Sequence, residues 1–394
     1  MKVLLYAHAF APKIGGAESA VMSLAMGVAK SRIGSSAPCV TVVTPTPRGE
    51  FDDSSLPFPI VRQPSASRLI KLIRSANVVH LAGPCFTPLL MGLLLRKPVI
   101  VEHHGFQTIC PNGQLLHEPT GTQCPGHFMA GRHAECLRCN AKDSVVRSLA
   151  LWFSTFPRRW LCTHATANIM PTKWLGGLLQ LPRSTTVYHG LANIQCCDHT
   201  LSSTLNPALT SASSTFAFVG RLVSTKGVQI LLQAAQQVRA EGLRFRIKVI
   251  GDGPDRQSLQ AQVIALGLSE SVKFLGYVSA GDLEKHLADV STIVMPSLAG
   301  EVFGLVAAEN MARGKLLITS DSGALSEVVA DAGLTFPTGD ATGLARCMEQ
   351  VLQDEKLTAR LRAAGQARAA NEFDERRMLE RHLNIYSEVA ACAN

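Results

Sequence analysis

Two doubly wound α/β domains in tandem are the fold class that this sequence predicts, on three observations. The chain has 394 residues, more than one hydrophobic core usually serves. Short apolar, β-branched runs alternate with helix-length segments twice over, the pattern of a parallel sheet covered on both faces. Between the two series lies a Ser/Thr-rich stretch, residues 198–214, with little apolar periodicity, which reads as a linker.

In chain order, the first series of strands is KVLLYAHAF, CVTVVTP, NVVHLAG, PVIVEHH, ANIMPT and TTVYHG. Each is brief, apolar and bounded by Gly, Pro or polar residues, and AESAVMSLAMGVAK between the first two has helical length. The second series is TFAFVGR, FRIKVIGDG, VKFLGYV, STIVMPS and LLITSDSG. The N-terminal domain therefore covers 1–197, with a Cys-rich insertion at 105–143, and the second domain opens at 215. In such a pair the ligand site is expected in the crevice at the carboxyl ends of the strands.

Composition excludes several classes. Hydrophobic residues make up 46% and charged residues 17%, which argues for a packed globular protein. No apolar stretch reaches the roughly 18 residues of a membrane span. The opening MKVLLYAHAFAPKIGG lacks a cleavage pattern and reads as a buried strand, so the eleven cysteines are expected to be mostly reduced and the protein cytoplasmic. The net charge of +8 favours anionic partners, but the basic residues are scattered, which counts against nucleic acid.

Three motifs carry chemistry. In KIGGAES, Gly15 and Gly16 allow close backbone approach at a helix start that offers N–H groups to an anion; a plain tight turn is the alternative. In PSLAGEVFGLVAAENMARG, Glu301 and Glu309 are separated by seven residues, with a helix expected from about Gly304. The N–H groups of Phe303, Gly304 and Leu305 would then lie at the positive helix end, suited to phosphate oxygens, with carboxylates on either side for sugar hydroxyls. In FVGRLVSTKGV, Arg221 and Lys226 follow a strand end, the place to neutralise a diphosphate.

Taken together, GGAE, GR…KG, GDGP, FLG and E-x7-E enclosing FG resemble the GT-B glycosyltransferases, in particular the retaining family 4, over nearly the whole chain. The resemblance implies two Rossmann-like domains facing across a cleft and transfer of a sugar from a nucleotide-sugar to an acceptor, without a catalytic metal. It implies that Arg221 and Lys226 hold the diphosphate, Glu301 the donor-sugar hydroxyls and Glu309 the ribose. Gly15, Gly16, Gly220, Gly251, Gly253 and Val278 join Phe303, Gly304 and Leu305 around the donor. The C-terminal domain would end at 373, and residues 374–394, similar to the family's final helix, would cross back onto the first domain. UDP-sugars are the expected donors, GDP-sugars next, and the acceptor a glycan or lipid-linked intermediate of envelope polysaccharide. A sugar-nucleotide epimerase, a phosphorylase or a non-catalytic binding module are the other readings; turnover without acceptor, dependence on inorganic phosphate, or absence of nucleotide binding distinguishes them.

The stretch VEHHGFQTICPNGQ stays partly open. In relatives a His-Asp pair precedes CP, which aligns His104 with the family histidine near the reacting sugar; Gly105 stands where many have Asp, and His103 is a rival. Cys110 as a nucleophile paired with a histidine is a further reading. Cys110, Cys124, Cys136 and Cys139 form C-x13-C-x11-C-x2-C, read as a structural zinc site, as reduced cysteines, or as disulfides. Residues 145–161, VVRSLALWFSTFPRRWL, read either as a membrane-surface face, placing the protein at the inner face of the plasma membrane, or as packed core.

Overall fold

The computed structural model describes residues 1–13, 15–31, 39–139, 144–191 and 214–391. Most of the expected linker, 198–213, and residues 140–143 of the insertion lie outside the described residues. The chain divides into two units: Met1–Pro119, Pro125–Ala192 and Phe373–Asn394 form one, and Thr120–Cys124 and Asn193–Glu372 the other.

The first unit is built on a parallel sheet of β1 (Lys2–Ala7), β2 (Cys39–Thr44), β3 (Ile60–Arg62), β4 (Val78–Ala82), β5 (Val99–Glu102), β6 (Ala167–Met170) and β7 (Ser184–Thr186), in the order β3-β2-β1-β4-β5-β6-β7. Helices α1 (Gly16–Lys30), α2 (Ala66–Ser75) and α3 (Phe86–Leu94) follow β1, β3 and β4; α4 (His133–Cys139) and α5 (Val145–Thr163) separate β5 from β6, and α6 (Lys173–Leu179) separates β6 from β7. Local chemistry sets the helix starts: the hydroxyls of Ser65, Ser144 and Thr172 accept from the backbone N–H three residues on. Buried side chains on both faces of the central strands, such as Val78, Val79, His80 and Leu81, explain the unbroken apolar runs.

In the second unit the strands are β8 (Ser214–Val219), β9 (Phe245–Ile250), β10 (Val272–Gly276), β11 (Thr292–Met295), β12 (Leu316–Ser320) and β13 (Leu334–Phe336), ordered β10-β9-β8-β11-β12-β13 and all parallel. The helices are α7 (Val228–Ala240), α8 (Arg256–Ala265), α9 (Ala280–Leu287), α10 (Leu305–Ala312), α11 (Leu325–Val329), α12 (Ala341–Gln353) and α13 (Glu355–Glu372). Phe216, Val249 and Ile318 from the sheet meet Leu231, Val238, Leu344 and Met348 from the helices in one core. Each sheet reverses its strand order once, between β1 and β4 and between β8 and β11. Such switch points are where open α/β sheets leave a ligand crevice.

The last helix, α14 (Glu375–Ala391), belongs to the first unit. Its Met378, Ile385, Tyr386 and Val389 join Val3, Leu5, Ala25 and Ile100 in a single core, and Ser23 donates to Glu375 at 2.5 Å. Gly190 permits the approach, since a Cβ there would fall 2.5 Å from the Glu375 Cα. Of the strands in the two main sheets, β3 and β13 escape the sequence pattern. Both have three residues, and both are sheet edges, where a strand needs neither length nor an apolar run. The segment TTVYHG is a strand only as far as Thr186, so Val187–Gly190 form a connection rather than sheet. Among the described residues no helix is long and apolar enough to cross a membrane.

Candidate active site

At the switch point of the second unit, β8 runs out at Val219 and β11 at Met295, and the loops after them hold Arg221, Lys226 and Glu301. Residues Ser224–Lys226 form a 3-10 turn, closed by Gly227 at φ 68, before α7 begins at Val228. The Thr225 carbonyl accepts from the N–H groups of Leu298 and Ala299, binding this turn to the loop that leads into α10. That loop delivers Glu301 to Lys226: Nζ donates to Oε1 at 2.5 Å, and the Ser297 hydroxyl donates to the same oxygen at 2.8 Å. The backbone fixes it as well, for the Glu301 carbonyl accepts from Ala324 N–H at 2.8 Å. Lys226 and Glu301, assigned to diphosphate and sugar respectively, thus adjoin.

Gly304, at φ 87, caps α10 in the left-handed region, so the chain turns sharply between the buried Phe303 ring and Leu305. Glu309 follows one turn later and pairs with Arg313 at 3.6 Å. Burial pushes its carboxyl upward, against the pull of that guanidinium. Arg221 is exposed and makes no ion pair among the described residues. Gly251 and Gly253 pack the GDGP loop onto the loop after β8: a Cβ would stand 1.8 Å from the Gly220 carbonyl oxygen at one and 2.2 Å from that of Leu222 at the other. Their first service is close backbone approach beneath Arg221. Val278 lies half-buried in the loop after β10.

The switch point of the first unit holds a cavity of about 160 Å³ lined by His8 and Ala9 after β1, Ala82 and Gly83 after β4, Ala17, Glu18 and Val21 of α1, and His104 with Gln107. Gly15 and Gly16 lead into this α1 wall, with Gly15 as the cap. His104 reaches the cavity and His103 does not. The Asn168 amide donates to the carbonyls of Cys162 and Pro182, so its Oδ1 must accept from His103 Nε2, at 2.9 Å. Burial pushes His103 down to about 4, and it is a neutral structural residue.

Behind His104 lies a cluster that sequence reading missed. Glu102, the last residue of β5, is buried with His80 Nε2 at 3.1 Å, His382 Nε2 at 3.5 Å and His104 Nε2 at 3.9 Å from Oε2, and His189 Nδ1 at 3.7 Å from Oε1. His104 stacks on His189 at 5.3 Å, and the Tyr386 hydroxyl meets His80 Nδ1 at 2.6 Å. Burial alone would raise the Glu102 carboxyl, but His104, His382 and His80 outweigh it and hold the group well below its ordinary value. Burial, together with His104, pushes His189 down to about 3.

Cys110, Cys136 and Cys139 belong to the first unit, while Cys124 groups with the second. Among the described residues Glu102, His104 and His189 bring three ligand atoms within 4.8 Å of one another, and no three of these cysteines do. The Cys139 sulfur is engaged by the Glu118 N–H at 3.2 Å and the Asn112 amide at 3.5 Å, and the Cys110 thiol by Asn112 Oδ1 at 2.9 Å. On α5, Val146, Leu149, Phe153, Phe156 and Trp160 are exposed, so this face is not the packed core that was the alternative.

Residues 207–368 match the family described as Glycosyl transferases group 1. That stretch, within the second unit, is similar to the group 1 glycosyltransferases. Similar glycosyltransferases include the phosphatidyl-myo-inositol mannosyltransferase of Mycobacterium leprae, 31% identical over 179 residues, which are 45% of this chain and 47% of the relative. The lipopolysaccharide core biosynthesis glycosyltransferase LpsE of Rhizobium meliloti is 31% identical over 169 residues, 42% of this chain and 48% of that one. The chain thus spans about half the length of these curated relatives. The crystal structure of Anabaena Alr3699/HepE in complex with UDP and glucose matches 98% of this chain and 100% of its own, with a TM-score of 0.70 at 18% identity. That likeness shows the glycosyltransferase fold GT-B, with two Rossmann-like domains.

Proposed function

We propose that this chain is a retaining, metal-independent glycosyltransferase of family 4 that moves a sugar from a nucleotide-sugar to a glycan or lipid-linked acceptor in cell-envelope polysaccharide or glycoconjugate synthesis. The observation that carries this reading is the Lys226–Glu301 pair at the β8/β11 switch point. A cation adjoining a carboxylate suits a phosphate bonded to a sugar, the one meeting the anion and the other accepting from a hydroxyl. UDP-sugars are the favoured donors and GDP-sugars the next; the HepE structure holds UDP and glucose, and the mycobacterial and rhizobial relatives are named for phosphatidyl-inositol and lipopolysaccharide substrates.

The acceptor hydroxyl forms a bond to the anomeric carbon on the face that the phosphate leaves, so configuration is kept. As the carbon–oxygen bond to the diphosphate breaks, its electrons go to the phosphate oxygen, which takes the acceptor's proton. The chain's share is electrostatic. Arg221, Lys226 and the N–H groups of Phe303, Gly304 and Leu305 stabilise the growing negative charge, while Glu301 and Glu309 accept from sugar and ribose hydroxyls. His104, at its cavity, supplies a polar contact for the reacting sugar.

The exposed apolar stripe on α5, with the net charge of +8, supports a peripheral contact with an anionic membrane surface. Calorimetric titration with UDP, GDP and ADP in the presence of a chelator tests the central reading. One nucleotide binding to wild type, and more weakly to Glu309→Ala, is the expected result; no binding of any overturns the proposal.

A further inference from the structure

We propose that Glu102, His104 and His189 bind a divalent transition-metal ion, with His80 and His382 packed against the same carboxylate. The proposal concerns the first unit alone and does not depend on the activity. Four histidines, from β4, the segments after β5 and β7, and α14, converge on one buried carboxylate at the end of β5, whose side chain is 4% exposed. The geometry is that of ligands around a shared ion. Bonds of about 2.0–2.1 Å would set neighbouring ligand atoms roughly 3.0–3.5 Å apart; His104 and His189 stand 3.9 and 3.7 Å from the carboxylate, and the ligand atoms of all three residues lie within 4.8 Å of one another, so side-chain rotation closes the remaining gap.

The proton inventory points the same way. His382 Nδ1 lies 2.9 Å from the Met378 carbonyl, which only accepts, so this nitrogen carries the proton. Its Nε2 faces Glu102 Oε2 at 3.5 Å. His104, with its side chain 7% exposed, has no hydrogen-bond partner at either ring nitrogen. Buried polar atoms are seldom left so. Imidazoles with a single carboxylate suit Zn²⁺, Fe²⁺, Co²⁺ or Ni²⁺ and disfavour Mg²⁺ and Ca²⁺. An ion on Nε2 would leave the His104 Nδ1 as a fixed N–H donor beside the cavity, and tie α14 to the sheet.

The test is titration of the full-length, chelator-stripped protein with Co²⁺, read by visible absorption, then displacement by Zn²⁺. The expected result is one equivalent per chain with ligand-field bands and without the intense near-ultraviolet band of cobalt thiolate. Glu102→Gln and His189→Gln, each confirmed as folded by circular dichroism, should weaken it about a hundredfold, and Cys136→Ser/Cys139→Ser should not. Four outcomes overturn the proposal: no uptake by wild type, a thiolate band, loss only in the cysteine variant, or full affinity in both cluster variants. A doubly protonated His382 at pH 8 by imidazole nitrogen resonance, without metal uptake, would likewise make the cluster an imidazolium–carboxylate pair.

Discussion

Nζ of Lys226 stands 2.5 Å from Oε1 of Glu301, so the cation expected at the diphosphate and the carboxylate expected at the sugar form one ion pair. Both side chains keep partial exposure, 34% and 16%, so replacing either strands no deeply buried charge.

Their separate roles can therefore be read by substitution. Lys226→Ala should weaken the free nucleoside diphosphate and the nucleotide-sugar alike, by about tenfold or more. Glu301→Gln should leave the diphosphate nearly unchanged and weaken the nucleotide-sugar. Calorimetry with both ligands checks this, and equal effects of Glu301→Gln on the two would remove Glu301 from the sugar.

Gly227 is predicted to be a stability hot spot of the second unit. Alanine there meets two penalties, a φ of 68 and a Cβ 1.9 Å from the Pro296 carbonyl oxygen. Gly242→Ala meets only the first, with φ 77 and nothing within 4 Å of the Cβ. Gly227→Ala should cost about 2–4 kcal/mol and Gly242→Ala about 1 kcal/mol. Scanning calorimetry that found the two equal would show that the close approach relaxes freely.

Thiol reactivity should follow burial. Burial pushes Cys162 up to about 12 and Cys85 to about 11, so at pH 8 their thiolate fractions are roughly 10⁻⁴ and 10⁻³. Among the described cysteines the exposed Cys39 should be alkylated first in the folded protein, and Cys85 and Cys162 only after denaturation. Peptide mass spectrometry gives the order; early modification of Cys162 would show that α5 opens readily.

The α5 stripe predicts binding to anionic vesicles. Phe153→Asp and Trp160→Asp, at side chains 68% and 60% exposed, should each reduce cosedimentation about tenfold or more without changing the melting temperature. Wild type that ignores anionic vesicles would refute the membrane contact.

Legibility in the sequence followed locality. The Glu301–Glu309 motif, the glycine loops and the central strands lie within a few residues of their own signals. Both central switch points came with the strand runs, which are apolar because both sheet faces are covered. Edge strands β3 and β13 were illegible because three residues at an edge carry no periodicity. The histidine cluster was illegible for another reason: positions 80, 102, 104, 189 and 382 meet only when β4, β5 and α14 are in place. Signals were present in VEHH and in the four-residue spacing of His382 and Tyr386 on one helix face, but nothing local distinguishes them from ordinary buried residues. The choice between His103 and His104 turned on Asn168, sixty-odd residues away.

α14 also sets an order of events during synthesis. The second unit, apart from Thr120–Cys124, is continuous from residue 193 to 372, so a ribosome supplies nearly everything it needs in one pass. The first unit, although it starts emerging earlier, lacks Tyr386, Ile385 and Met378 of its core until α14 has followed the whole of the second unit. Domains usually fold in the order they are made; here the earlier-made one must wait, holding an apolar gap open, while its successor closes first.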